Sequence, residues 1–324
     1  MKKCFILFIV FVIISVGTLT GEKTKNNHLY LEVFFGQSFI SPEDLNLFSA
    51  YQKEYYEYYY NYYRVNYNHS YSRATSNGII GEFNKLKNNN IFGGRLKYYF
   101  SSNSELRKLA ISLSFKYING KSDSNAEMIY NIDNFYAGIY SLTRKTEPSR
   151  LYTEGYVPQI GVHYPVLNSR KFSLEANISA GLIFASCGSF EQYYYNKTEP
   201  TGYIDKMTII QEYKGTGTGL SLDAGLKLEA IFNKSIGIFL EGGYSYQKVN
   251  KITGDAMYKR SDKDNNMDGY VSLYNWSGDW IISEQSYGNK PNVNHNGLDQ
   301  SALSNFNLDL SGFYLRVGLS IKIF

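Results

Sequence analysis

The chain is poor in cysteine, with 2 in 324 residues. Cys4 lies in an N-terminal apolar stretch, so only Cys187 stays once that stretch is removed, and a single thiol excludes an internal disulfide. Cys187 reads as a small, inert side chain. Long apolar runs are also missing after the N-terminus, and the mean hydropathy is −0.34, which excludes a bundle of membrane-spanning helices. Charge of one sign is missing too: 33 basic residues face 29 acidic ones. Without Lys2 and Lys3 the balance is 33 − 2 = 31 against 29, so nothing points to nucleic acid or to a strongly acidic partner. Histidine is scarce, with His28, His69, His163 and His295 alone. His163 sits in His-Tyr-Pro-Val with no serine two residues on, and His69 precedes Ser70 and Ser72 in a polar stretch without positioned partners. All four read as non-catalytic, and the expectation is that the chain is not an enzyme.

What the chain has is alternation. From Phe313, the odd positions of the final stretch are Phe313, Leu315, Val317, Leu319, Ile321 and Ile323. The even positions are Gly312, Tyr314, Arg316, Gly318, Ser320 and Lys322. A strand with one apolar and one small-or-charged face follows from that period of two. Tyrosine is the compositional outlier, with 32 copies, and aromatics reach 17%. Such rings are useful half-buried, as at a bilayer interface.

Residues 1–21 have the parts of a secretory signal peptide. Lys2 and Lys3 form a charged end, Cys4 to Ile14 is an apolar run too short to span, and Gly17, Thr18, Thr20 and Gly21 offer a cleavage region. The rest, 22–324, reads as one β-barrel domain.

Eight stretches alternate like the last one: about 29–39, 92–100, 109–117, 151–164, 172–184, 220–232, 236–246 and 308–324. Pro158 interrupts the fourth and predicts a local bulge. Three short turns, 101–108, 165–170 and 233–235, take turns with four long excursions, 40–90, 119–149, 186–216 and 248–307. Aromatics mark both ends: Phe100, Tyr164, Phe172, Phe232 and Phe324 by the short turns, and Phe35, Tyr117, Phe184 and Tyr246 by the long excursions. These features predict an all-β fold, an eight-stranded antiparallel transmembrane β-barrel with four long extracellular loops. Asn134 to Leu142 offers part of a further hairpin, which keeps ten strands as an alternative. A soluble sandwich or lipocalin-like barrel would also alternate, but with its apolar face inward.

On this pattern the chain resembles the small eight-stranded outer-membrane barrels of the OmpA/OmpX and opacity-protein type, over residues 29–324. The resemblance implies the outer membrane of a diderm bacterium, contact with outer-membrane lipid, a monomer, and passage through the barrel-insertion machinery. Phe324 departs from the family pattern, since it is one residue out of phase with Ile323 and Ile321. No domain trails the eighth strand, so anchoring to peptidoglycan of the OmpA kind is not implied.

With the apolar faces outward, the lumen receives Glu32, Arg95, Lys97, Lys116, Glu175, Asp223, Lys227, Glu229, Glu241, Arg316 and Lys322. An eight-stranded interior is just wide enough for side chains, so these charges must pair. The expectation is a salt-bridged plug; the alternative is a small porin-like channel for small or apolar solutes.

Two excursions carry further signals. Ser41-Pro42-Glu43-Asp44 reads as an N-cap and first turn, so a short helix begins there. Tyr55, Tyr56, Tyr58, Tyr59, Tyr60, Tyr62 and Tyr63 follow, and dense tyrosine suits a binding surface as well as it suits an exposed loop of drifting composition. In the last excursion, Asp264, Asn266, Asp268 and the Tyr270 carbonyl stand at the ligand positions of a calcium loop around Gly269. Asn275 replaces the bidentate glutamate of the twelfth position. No cofactor is expected beyond Ca²⁺ at that loop. The leading function is a non-enzymatic surface protein whose exterior loops meet an extracellular ligand by adhesion or direct contact.

Overall fold

The computed structural model describes residues 28–46, 72–82, 84–99, 109–124, 127–134, 140–146, 150–169, 171–198, 204–233, 235–263, 271–283, 290–293 and 303–323. The candidate signal peptide, the tyrosine tract 55–63, Asp264 to Tyr270, His69, His295, Phe100 and Phe324 lie outside them. In chain order the strands are β1 (His28–Ile40), β2 (Ser72–Ile80), β3 (Asn88–Tyr99), β4 (Ala110–Asp123), β5 (Glu127–Asn134), β6 (Tyr140–Thr146), β7 (Arg150–Asn168) and β8 (Phe172–Thr198). They continue with β9 (Ile204–Ile231), β10 (Ile236–Val249), β11 (Thr253–Lys263), β12 (Val271–Ser283), β13 (Lys290–Val293), β14 (Leu303–Asn305), β15 (Leu308–Asp309) and β16 (Gly312–Lys322).

Eight of these close on themselves. β1 pairs β3, β3 pairs β4, β4 pairs β7, β7 pairs β8, β8 pairs β9, β9 pairs β10, β10 pairs β16, and β16 returns to β1, every pair antiparallel. Closure leaves no barrel edge, so every wall carbonyl and amide has a neighbouring strand. The wall alternates as the sequence does. Ile160, Val162, Ile178, Leu220, Leu222, Leu226 and Leu228 are exposed, as are Leu315 and Leu319 of the closing strand. Such a belt of large apolar side chains has no place in water and matches hydrocarbon. Tyr164, Phe172 and Phe232 are exposed by the short turns, and Phe35, Phe184 and Tyr246 by the opposite rim.

Two expectations need correction. The bulge is not at Pro158: Phe115 pairs Pro158 in unbroken register, and the shift in the β7–β8 ladder falls between Pro165 and Leu167. Pro158 simply lacks a donor, and the β8 ladder passes it between the pairs Tyr156–Phe184 and Gln159–Gly181 without a change of offset. The long excursions are also not simply loops. Residues 186–216 are mostly the upper parts of β8 and β9, paired as far as Thr198 with Ile204. The hairpin at Asn134 to Leu142 exists as β5–β6, but it joins the exterior and leaves the barrel at eight strands.

Above the barrel, the β8–β9 ribbon is widened on both sides. β6, β5 and β2 add to the β8 edge; β11, β12 and β13 add to the β9 edge. The result is a broad antiparallel sheet beyond the apolar belt. A short helical turn, residues 43–46, follows Pro42 at the mouth, where the Ser-Pro-Glu-Asp run predicts one.

Candidate functional site: a sealed lumen and its cap

Inward positions fall every second residue, and ten of the eleven charges assigned to the lumen are buried there: Glu32, Arg95, Lys97, Lys116, Glu175, Asp223, Lys227, Glu229, Glu241 and Arg316. Lys322 is half-buried at the end of β16. The ten comprise five cations and five anions. One group centres on Glu32, which meets Arg95 at 3.0 Å, Lys97 at 2.8 Å and Lys227 at 2.7 Å. Lys97 also reaches Glu175 at 3.1 Å, and Lys227 reaches Glu229 at 2.9 Å. A second group holds Asp223 between Lys116 and Arg316, the latter at 3.0 Å, with the Ser245 hydroxyl donating at 2.6 Å. Glu241 joins the two groups, 3.1 Å from Arg95 and 3.6 Å from Arg316. Each buried charge thus has an opposite partner, which a low-dielectric interior requires.

Several network members escape a search confined to charged residues. Tyr99 donates to Glu175 at 2.6 Å, and Tyr314 donates to Glu241 at 3.2 Å. Phe34 and Phe239 point inward on otherwise polar faces, and the guanidinium of Arg316 lies 5.1 Å from the Phe34 ring and 3.8 Å from the Tyr314 ring. Glycines make the room: a Cβ on Gly93 would stand 2.6 Å from the Phe34 ring, and one on Gly318 would stand 2.6 Å from the Phe239 ring.

His163 is not isolated, as the local sequence suggests. Its Nδ1 lies 2.7 Å from Glu175 Oε1, and its Nε2 lies 2.7 Å from Ser112 Oγ. The partners come from neighbouring strands, so the spacing along the chain carries no sign of them; the pairing of Ser112 with Gly161 and of His163 with Asn177 does. This is the order of groups in a hydrolytic triad. Here it is sealed: Ser112 and His163 are buried, and Glu175 is shared with Lys97 and Tyr99.

Toward the exterior rim the lumen turns apolar. Ile91, Ile118, Leu151, Val157, Ile183 and Val249 line the wall and form one core with Leu308 of β15 and with Leu45, Leu86, Ile252, Phe306 and Leu310 from the connecting segments. Cys187 is buried in the same core. Two polar latches hold this cap. The Asn46 side chain donates to the Leu86 carbonyl at 3.1 Å and accepts from the Leu86 N–H at 2.7 Å. The Asp44 carboxylate accepts from the Asn307 N–H at 2.6 Å. Burial pushes the Asp44 carboxyl above its ordinary range, against the lowering effect of that hydrogen bond.

Asn275, the last position of the calcium-like run, pairs Met257 in the β11–β12 ladder. Positions eight to twelve of the run, Val271 to Asn275, are therefore strand. Among the described residues no group of three His, Cys, Asp or Glu is placed to hold a metal ion.

Closed antiparallel strands, an apolar outer belt and a paired polar lumen define the class: a transmembrane β-barrel. No family model and no curated protein matches the chain. Among solved structures it is similar to a major outer membrane protein from Thermus thermophilus, at 13% identity over 91% of this chain and 99% of that one, with a TM-score of 0.28. It is also similar to the outer membrane protease OmpT from Escherichia coli, at 8% identity over 92% of this chain and 96% of that one, with a TM-score of 0.26. At such values neither transfers an activity or a residue role.

Proposed function

We propose that this protein is a non-enzymatic surface protein of the outer membrane of a diderm bacterium, with a closed lumen and an exterior sheet that contacts an extracellular ligand. One observation carries the reading: β8 and β9 run for 27 and 28 residues, where about ten suffice to cross the hydrocarbon. The surplus is ordered sheet rather than slack loop, and it costs conformational entropy that crossing the membrane does not require. A balanced charge layer and an apolar cap in series favour a barrel that serves as an anchor over one that conducts.

The test is single-channel recording of the refolded protein in a planar bilayer, paired with adhesion of cells displaying it to foreign cells. Silence in the bilayer with adhesion supports the reading. Steady openings would make the small porin-like channel the better one. Hydrolysis is checked separately: a fluorophosphonate probe leaves the folded protein unlabelled if Ser112 is sealed, whereas labelling lost in Ser112→Ala would mark an enzyme.

A further inference from the structure

The outward face of β1 reads Val33, Phe35, Gln37 and Phe39, and all four are exposed. Gln37 is a polar side chain set between two rings of the apolar belt. It belongs to a chain of amides on one rung, which joins it to Asn90 of β3 and Asn119 of β4. Gln37 Nε2 donates to Asn90 Oδ1 at 3.4 Å, and Asn90 Nδ2 donates to Asn119 Oδ1 at 3.3 Å. Asn90 is exposed and Asn119 is half-buried.

Register fixes the depth of this chain. One rung followed round the eight strands leaves β1 at Phe39, crosses β16 at Phe313 and β8 at Ile178, and comes back to β1 at Leu29, ten residues lower. Strands about 4.8 Å apart with a rise of about 3.3 Å per residue then tilt by about 40°. Each residue climbs about 2.5 Å along the membrane normal, and each strand step from β1 toward β3 climbs about 3 Å. Gln37 therefore lies about 5 Å below Phe39. Leu222 lies at the same depth on the opposite wall and is 48% exposed. Asn90 lies about 2 Å below Phe39, and Asn119 is level with it to about 1 Å. The amide chain thus enters the hydrocarbon at Gln37 and reaches the rim at Asn119. Glu154 continues the rung above the rim.

We propose that this amide chain is the contact of a two-fold dimer of the barrel, in place of the monomer that the family resemblance implies. The proposal goes beyond the surface-contact reading and does not rest on it. Lipid tails offer no hydrogen bonds, so a carboxamide at hydrocarbon depth is stabilised by a second protein surface. A carboxamide both donates and accepts, which makes it its own complement. Two copies in one membrane share its normal, and a two-fold axis along that normal sets each residue against residues of its own depth. Amide therefore meets amide. An axis through Asn90, the middle of the chain, places Asn90 against its own copy and brings Gln37 toward the copy of Asn119. Phe35 lies about 8 Å below Asn90 on nearly the same vertical line, so ring meets ring beneath the amides. A lipid headgroup fits the site less well. The cations Lys87 and Lys121 stand about 10 Å above Gln37, and Lys121 is held by Asp123 at 2.7 Å.

The experiment is disulfide trapping of the refolded protein in liposomes. Asn90→Cys puts a thiol at the axis, and Leu222→Cys puts one at a similar depth on the opposite wall. Cys187 is buried and does not compete. Oxidation with copper phenanthroline is expected to give a covalent dimer in Asn90→Cys and about tenfold less in Leu222→Cys. Heat-modifiable migration confirms that each variant is folded. Equal trapping at both positions, or none at Asn90→Cys, would overturn the proposal. A second measurement needs no thiol: stepwise photobleaching of terminally labelled protein in liposomes, counted against dilution into lipid. The parent is expected to dimerise, and the double variant Gln37→Leu with Asn90→Leu to dissociate at about tenfold higher density. A parent that stays monomeric at every density, or a double variant that pairs as the parent does, would overturn the proposal as well. So would a monomeric parent that retains lipopolysaccharide which the double variant loses, since the amides would then hold a headgroup.

Discussion

Glu32→Gln tests the lumen as a charge-balanced plug. Glu32 is fully buried and touches three cations, Arg95, Lys97 and Lys227, at 2.7–3.0 Å. The substitution keeps the shape and one acceptor but leaves five buried cations against four anions. Breaking a buried pair costs about 3–5 kcal/mol, because the partner's desolvation is no longer offset. The three contacts share one charge, so the cost is not tripled. An exposed pair would cost under about 1 kcal/mol. The expectation is therefore a loss of at least about 3 kcal/mol, more than a hundredfold in the folding equilibrium. Urea titration of vesicle-inserted protein, read by heat-modifiable migration, measures it. The midpoint falls while the slope stays, since the exposed area on unfolding is unchanged. Adding Lys227→Met restores four against four and recovers part of the loss. A loss of less than about 1 kcal/mol in Glu32→Gln, or a double variant worse than the sum of its parts, would refute the argument.

Gly93→Ala sets a Cβ 2.6 Å from the Phe34 ring and 2.7 Å from the Phe115 carbonyl, so it destabilises the barrel by about 1–3 kcal/mol. Gly94→Ala, whose nearest neighbour is the Glu32 carbonyl at 3.6 Å, stays within about 0.5 kcal/mol in the same titration. Asp44 has a raised carboxyl pKa in the closed cap, so its proton favours closure: the contribution is complete below the ordinary aspartate value and is lost as pH rises through the raised one. Hydrogen exchange at the Leu86 and Asn307 amides, corrected for intrinsic rate, shows a cap that opens more often as pH rises through that window, and Asp44→Asn flattens the dependence. Asp123 is the opposite case: slight burial raises it, but Lys121 and Arg150 outweigh that and hold it low, so its contribution is lost as pH falls. Its pairs are half-exposed, and Asp123→Asn costs under about 1 kcal/mol. Glu241→Ala alone leaves the protein silent in a bilayer, because Leu45 and Phe306 close the rim above it.

The barrel was legible because lipid and lumen impose opposite demands on neighbouring residues. Val33, Phe35, Glu32 and Arg95 reveal their faces by type alone. The signal fails where that contrast ends. Phe34 and Phe239 are apolar yet inward, since rings seated on glycine notches fill the lumen as well as charges do. Ile91, Ile118 and Val249 are inward because the cap supplies apolar partners from 45, 86 and 306, a contact between distant segments that no local period records. Above the rim the alternation of apolar and polar residues stops, as in the run Tyr193, Tyr194 and Tyr195, so a period of two marks no strand there. Ser112 and His163 meet only through the register of the β4–β7 ladder, which no spacing along the chain records.

The continuous β8–β9 ladder also decides how the molecule takes a load. A pull on the tip of the exterior sheet does not end at a hinge, because every residue from Phe172 to Thr198 has a partner in β9. Tension along the ribbon loads successive hydrogen bonds together in shear, and the same two strands are staves of the barrel wall. The wall is closed, so the force spreads around its circumference and into the bilayer. A tether built this way yields by drawing the barrel through lipid or by unzipping its wall, and the exterior sheet keeps its form until then.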